Sequence, residues 1–215
     1  MSTITSYAHI KHNQVFVNGK PVFRSAPTAT LSEFLSEVYK NLGLSYPKFH
    51  KMDQQCKLGF LCTEFAMKES SFMVENDLSK TAIVLENAAS SLETDRQHQH
   101  SIDDKSNYFP SPAVFVYTLP NIVIGELAIR YKVTGENAFF VSEKFDAELL
   151  INYTEALFKG GTQSAICGWV EVDGNSYEGF IFLAEKQKDT NKSAIFKPLN
   201  QSTVLELYNQ TIWTH

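Results

Sequence analysis

Few residues of this chain have types and spacings that could do chemistry. Lys144 follows Glu143 where a short apolar run, residues 138–141, gives way to a helical pattern starting at Phe145. A lysine amine there could donate a proton or form a Schiff base if it were buried. Exposed in the first turn of a helix, it is only a solvated cation. His98 and His100 could share a metal from one side of a strand, but their stretch is polar and supplies no third ligand motif. His9 and His12 flank an expected strand turn and read as surface residues, and Glu64 and Glu69 read as the solvated side of a helix. Cys56, Cys62 and Cys167 each sit among apolar neighbours, and none belongs to a C-x-x-C pair. They read as small buried thiols of a reducing compartment, with the cytoplasm expected. No phosphate loop, dinucleotide fingerprint, nucleophile elbow or H-E-x-x-H helix occurs, and no metal or cofactor is expected.

The elements that would position these residues follow from periodicity. Val15, Val17 and Val22 around Asn18-Gly19 predict a β-hairpin over residues 7–23. Leu31, Phe34, Leu35, Val38, Tyr39 and Leu42 repeat at helical spacing up to Gly43. Asp53 can cap a second helix carrying Leu58, Leu61, Cys62, Phe65 and Ala66 on one face. Residues 81–85 are short, apolar and β-branched, as in a buried strand. The polar stretch 86–107 predicts a loop holding at most a short helix. Pro120 opens a helix with Ile124, Leu127, Ala128 and Tyr131 on one side, which Gly135 is expected to break. A strand at 138–141, a helix at 145–158, two strands at 164–172 and 179–185 about an Asp173-Gly174 turn, a polar loop at 188–192 and a last helix at 204–208 complete the pattern. Strands alternating with helices, then a strand pair, predict a layered α/β domain with helices on both faces of a mixed sheet.

Composition narrows the function classes. The chain has 215 residues, 43% hydrophobic, enough for one sizeable core. Nineteen basic residues stand against 24 acidic ones, a net charge of −5, with no basic stripe of the kind nucleic acids require; Lys186, Lys188 and Lys192 read as a solvated loop. No segment reaches the ~18 consecutive apolar residues of a membrane helix, and residues 1–6 do not read as a signal peptide. No internal repeat or domain boundary stands out, so residues 1–215 are expected to form one domain, with residues 1–25 as a hairpin extension.

Three segments together resemble the β-ketoacyl-ACP synthases of the thiolase-like superfamily. Residues 109–131, FPSPAVFVYTLPNIVIGELAIRY, resemble that family's S-P, apolar run, P-N-x-x-x-G-x-x-(S/A)-I-x-(F/Y) stretch. Residues 135–142, GENAFFVS, are similar to its G-P-N strand, which leads to the catalytic cysteine. Residues 167–172, CGWVEV, with 178–185, EGFIFLAE, resemble its paired strands. Weaker echoes are Met52-Asp53 at a helix start and the strand before residue 87. The resemblance covers most of the chain from about residue 50 and implies one half of a thiolase-like fold, a mixed sheet of about five strands.

Two departures from the family pattern bear on function. Counting along G-P-N-x-(A/S)-x-x-(T/S)-A-C puts Lys144 at the nucleophile and Glu143 at a small residue. Family members are about twice this long, and their two catalytic histidines belong to the second half. The resemblance therefore implies a catalytically silent, chain-length-factor-like subunit, nearest to short ketosynthase-like proteins of aryl-polyene and flexirubin-type pathways. Its partner would be a full-length ketosynthase, or a second copy, and an acyl carrier protein is a further candidate. Leu119, Asn121, Ile122, Val123, Asn137, Ala138, Phe139, Phe140, Val141 and Ser142 are the interface or pocket candidates, because the family's strand before the nucleophile pairs across its dimer. Two other readings stand beside it: an enzyme using Lys144, and an acyl- or lipid-binding module with residues 119–129 as a pocket wall. Residues 139–141 as a buried central strand, and 119–129 as a core helix, are the purely structural alternatives.

Overall fold

The computed structural model describes residues 2–68, 70–106, 110–186 and 197–209. The strands are β1 (Ser2–Lys11), β2 (Gln14–Val17), β3 (Lys20–Arg24), β4 (Thr81–Asn87), β5 (Asn137–Val141), β6 (Ser164–Asp173), β7 (Ser176–Lys186) and the short β8 (Lys197–Pro198). The helices are α1 (Leu31–Asn41), α2 (Gln54–Lys68), α3 (Phe72–Glu75), α4 (Leu92–His100), α5 (Pro112–Val116), α6 (Ile122–Tyr131), α7 (Ala147–Lys159) and α8 (Gln201–Asn209). The strands form one mixed sheet in the order β3-β2-β1-β7-β6-β4-β5, with β8 beside β1.

The sheet therefore has eight strands rather than about five. The surplus comes from the N-terminus, where β1 pairs antiparallel with both β2 and β7. The expected hairpin is thus two hairpins built into the main sheet. Asn18-Gly19 turns β2 into β3, and His12-Asn13 turns β1 into β2. All four residues have positive φ, the backbone that matches strand twist in two-residue turns. Asn13 manages this because its side chain is held by the Ala26 and Ala29 carbonyls.

Period-two alternation divides the sheet's side chains between two cores. Ala8, Ile10, Ile83, Leu85, Ile166, Val170, Ile181 and Leu183 pack under α1, α2 and α6. Tyr7, Ala82, Val84, Cys167, Trp169, Phe180 and Phe182 pack under α7 and α8. Helices on both faces follow directly from strands apolar on both sides.

Local chemistry fixes the helix ends. Thr30 and Glu33 form a reciprocal capping box on α1. Asp53 accepts the Cys56 N–H at 2.8 Å, as expected of a cap for α2. Helix α6 ends earlier than Gly135 suggested, at Lys132 in the left-handed conformation. Gly135 has another duty: a Cβ there would lie 2.3 Å from the Thr81 carbonyl oxygen, so the chain entering β5 passes too close to β4 for any side chain.

Three sequence expectations change. His9 is 1% exposed, not a surface residue, because the alternation that buries Tyr7 also buries it; His12 is exposed. Glu64 is not simply solvated: its Oε1 accepts from Arg130 Nε at 2.7 Å and from the Tyr131 hydroxyl at 2.9 Å, tying α2 to α6. His98 and His100 stand on helix α4, where residues two apart point away from each other instead of sharing the side of a strand. Phe109, Glu69, Lys188 and Lys192 lie outside the described residues. All three cysteines are buried and free. No helix among the described residues is long and apolar enough to cross a membrane.

Candidate functional site

Of the residues singled out by sequence, 137–144 lie on β5 and at its junction with α7. Strand β5 runs parallel to β4 and ends the sheet, so it is an edge strand and not a buried central one. Ile83 N–H donates to the Glu136 carbonyl at 3.0 Å, and Ser142 N–H donates to the Asn87 carbonyl at 2.8 Å. Even-numbered residues therefore turn their backbone groups toward β4. The backbone groups of Asn137, Phe139 and Val141 line the open edge. Ala138, Phe139 and Phe140 are half-buried, Phe139 packing on one core and Phe140 on the other. Asn137 is exposed.

The segment 111–123 is gathered to the same end of β4 through hydrogen bonds. The Asn87 side chain donates to the Ser90 carbonyl, and the Ser91 hydroxyl donates to the Thr118 carbonyl at 2.8 Å. Much of this apolar segment faces solvent: Phe115 is 60% exposed, Val116 49% and Leu119 57%, and Val141 at the end of β5 is 58% exposed. Asn121 is exposed and Ile122 half-buried, whereas Val123 is core, set against Gly59 of α2. Residues 122–131 form a core-packing helix, with Val123, Ile124 and Leu127 buried.

At the elbow itself, Glu143 and Lys144 are both exposed. The burial a Schiff-base lysine needs is not present at Lys144. Asp146 closes the N-terminus of α7 by accepting the Leu149 N–H at 3.0 Å. Phe145 turns inward, stacked on Tyr208 of α8 with ring centres 4.3 Å apart and edge-on to Phe180. The cysteine closest in the fold to α7 is Cys167, which shares a 3.3 Å contact with the Thr154 hydroxyl. Burial pushes its thiol up to about 12. It cannot serve as a thiolate at neutral pH.

Two features of this site were not read from the sequence. The first is Glu86, fully buried beneath the elbow. Its Oε1 accepts the Asp146 N–H at 2.7 Å and its Oε2 the Ser142 hydroxyl at 3.1 Å. Burial raises its carboxyl to about 7, and the negative Asp146 adds to this while the two hydrogen bonds oppose it. A charged residue closing the apolar run 81–85 was the available signal. The second is a polar cluster behind Tyr208. Glu178 accepts from His9 Nε2 and the Tyr208 hydroxyl, both at 2.8 Å, and pairs with Lys11 at 3.1 Å. Burial lowers the His9 pKa. Burial would raise Glu178, but the hydrogen bonds from His9 and Tyr208 hold it below the ordinary carboxylate value. The alternation of β1 placed His9 inward; its partner, on the neighbouring strand β7 but 169 positions along the chain, could not be read locally.

A separate cleft of about 1200 Å³, lined by Tyr7, Phe16, Val22, Phe23 and Leu207, lies toward the opposite edge of the sheet.

This order of strands and helices has counterparts among solved structures. The ishigamide ketosynthase/chain length factor superposes with a TM-score of 0.66 at 15% identity, over 90% of this chain and 64% of that one. The chain has the ketosynthase fold. A type II polyketide synthase ketosynthase in complex with its acyl-carrier protein matches with a TM-score of 0.59 at 14% identity, over 86% of this chain and 62% of that chain. The ketosynthase ApeO in complex with its chain length factor ApeC, from Xenorhabdus doucetiae, matches with a TM-score of 0.56 at 15% identity, over 87% and 80%. The ketosynthase-fold chain thus spans less than two thirds of the first two relatives' own length. No protein-family model and no curated protein sequence matches it.

Proposed function

We propose that this protein is a non-catalytic ketosynthase-like subunit that pairs through β5 with an active β-ketoacyl-ACP synthase, in the manner of a chain length factor. The observation that carries this is the β5–α7 junction. An uncharged, half-buried edge strand leads into an elbow whose exposed tip is Lys144, where the family resemblance puts the nucleophile. Acyl transfer to cysteine needs a thiolate at a helix N-terminus, where the helix dipole favours negative charge. An ammonium is disfavoured by that dipole, and the α7 N-terminus is already capped by Asp146. What remains useful at the junction is the edge. At the sheet's other edge, β3 carries Lys20, Pro21 and Arg24, residues that discourage strand addition. β5 carries no such guard. The exposed Phe115, Val116, Leu119 and Val141 add apolar surface of the kind interfaces cover.

The partner is a full-length ketosynthase, with self-pairing as the fallback when that partner is missing. The process is polyketide- or fatty-acid-type chain extension, with aryl-polyene synthesis as the nearest resemblance. An acyl carrier protein would dock on the assembled pair. Two of the structural neighbours are ketosynthases paired with chain length factors, or named for the pair, and a third holds a ketosynthase with its carrier protein. The alternatives, a stand-alone acyl- or carrier-binding module and an enzyme using Lys144, need no ketosynthase partner. Exposure of Lys144 counts against the second.

The test is recovery of the tagged chain from its native host. A ketosynthase should co-purify, and Val141→Lys should abolish its recovery, while Val22→Lys on the opposite edge strand should leave it intact. A well-folded wild-type chain that stays monomeric at high concentration and recovers no ketosynthase would sink the subunit reading.

A further inference from the structure

Glu86 has no part in the pairing argument, yet it is wholly buried beneath the elbow, and both its oxygens are spent on that elbow. One oxygen takes the Asp146 N–H, the backbone group at the cap of α7. The other takes the Ser142 hydroxyl, on the residue just past β5 whose N–H bonds the Asn87 carbonyl. The carboxylate thus spans the turn from its first residue to its last, with Lys144 at the exposed tip between them. We propose that Glu86 is a proton-operated clamp on the β5–α7 elbow: ionised, it grips the Asp146 amide and the Ser142 hydroxyl together, and protonated, it loosens that grip so that the elbow shifts against β4.

The chemistry is a single proton taken from or returned to solvent. A carboxylate accepts at both oxygens, and the hydrogen bonds it receives are stronger than those to a neutral acid. A carboxylic acid keeps one good acceptor, and its new O–H must find an acceptor of its own. Burial brings this exchange to near neutral pH, at about 7. The neighbouring charged groups leave Glu86 without a cation in hydrogen-bonding contact. On the elbow, Asp146 is negative and opposes ionisation, and Glu143 and Lys144 are exposed. On α8, the Tyr208 hydroxyl is directed to Glu178, which is itself held by His9 and Lys11 of β1. On β6, the ladder partner is Trp169, and Glu171 is spent on the Ala88 and Ala89 amides. On β5, the ladder partner is Phe140. The Phe145–Tyr208 stack also holds the elbow, independently of Glu86.

The test reads the elbow directly and is independent of whether a ketosynthase partner exists. In ¹⁵N-labelled full-length chain, the Asp146 amide resonance should move through one transition centred near neutral pH. The Ala88 amide, bonded to Glu171, should not follow it. Glu86→Gln, which cannot ionise, should abolish the transition in a chain whose other resonances stay in place. Ser142→Ala should move the midpoint up, since a bond to the charged form is lost. Asp146→Asn should move it down, since a like charge is lost and the cap is kept. A flat Asp146 trace in the folded wild type, a transition that survives Glu86→Gln, or midpoints that move in the wrong directions would each overturn the clamp.

Discussion

Among individual residues, the buried titratable groups dominate, and two of them pull stability in opposite directions with pH. The Glu86 pKa is raised in the fold, so the folded chain binds a proton that the unfolded chain releases between pH 4.5 and about 7. Stability tied to Glu86 is complete below pH 4.5 and is lost as pH rises through about 7. His9 is lowered from 6.5, so its contribution is complete above pH 6.5 and is lost as pH falls below that value through the lowered folded pKa. Replacing Glu86 by Gln should therefore stabilise the protein at pH 8 by about 1–3 kcal/mol. The gain should vanish as pH approaches 4.5, the unfolded carboxyl's value. Thermal or urea unfolding of both proteins across this range checks it. A gain that is the same at all pH values would mean that packing, not charge, sets the effect.

For the elements, close approach decides more than propensity. Strands β6 and β7 pair along their whole length, and at Gly168 a Cβ would lie 2.0 Å from the Phe180 carbonyl oxygen. A methyl group there must push two central strands apart, under Trp169 on one face and Ile181 on the other. Gly168→Ala should cost about 2–4 kcal/mol, in the range of strained or overpacked core substitutions. Gly125 sits exposed in α6 with nothing within 4 Å of an added Cβ. Gly125→Ala should stabilise by about 0.5–1 kcal/mol through helix propensity. Urea midpoints of the two variants distinguish a contact argument from a composition argument, because both make the same chemical change.

For the molecule as a whole, the proposal is that one edge of the sheet is finished by another chain while chemistry is left to that chain. The expected outcome with acyl-ACP is an unmodified chain by intact mass, in the presence or absence of a ketosynthase. The thiols are buried, and no cysteine stands at the elbow. An acyl adduct mapped to any residue of this chain, Lys144 above all, would revive the stand-alone enzyme.

The sequence by itself determined most of the elements and the kind of fold. Helix α1 was legible because its apolar spacing and its Gly43 stop are local. The strand 81–85 was legible because an apolar, β-branched run has few other uses, and the order of the three family-like segments pointed to the ketosynthase fold. That the family resemblance puts Lys144 where the nucleophile would stand came from counting along a motif. Only the tertiary structure decided that β5 is an edge, that β1 is interior, that His9 is buried against Glu178, and that Glu86 lies beneath the elbow. A four-residue apolar run has the same pattern whether one neighbour or two pair with it. Burial of His9 depends on strands and a helix some 170 to 200 positions away along the chain. Glu86 and the residues it holds are about 60 positions apart. Periodicity reports which side a residue faces; what stands opposite it is set by long-range pairing, which is a property of the folded chain alone.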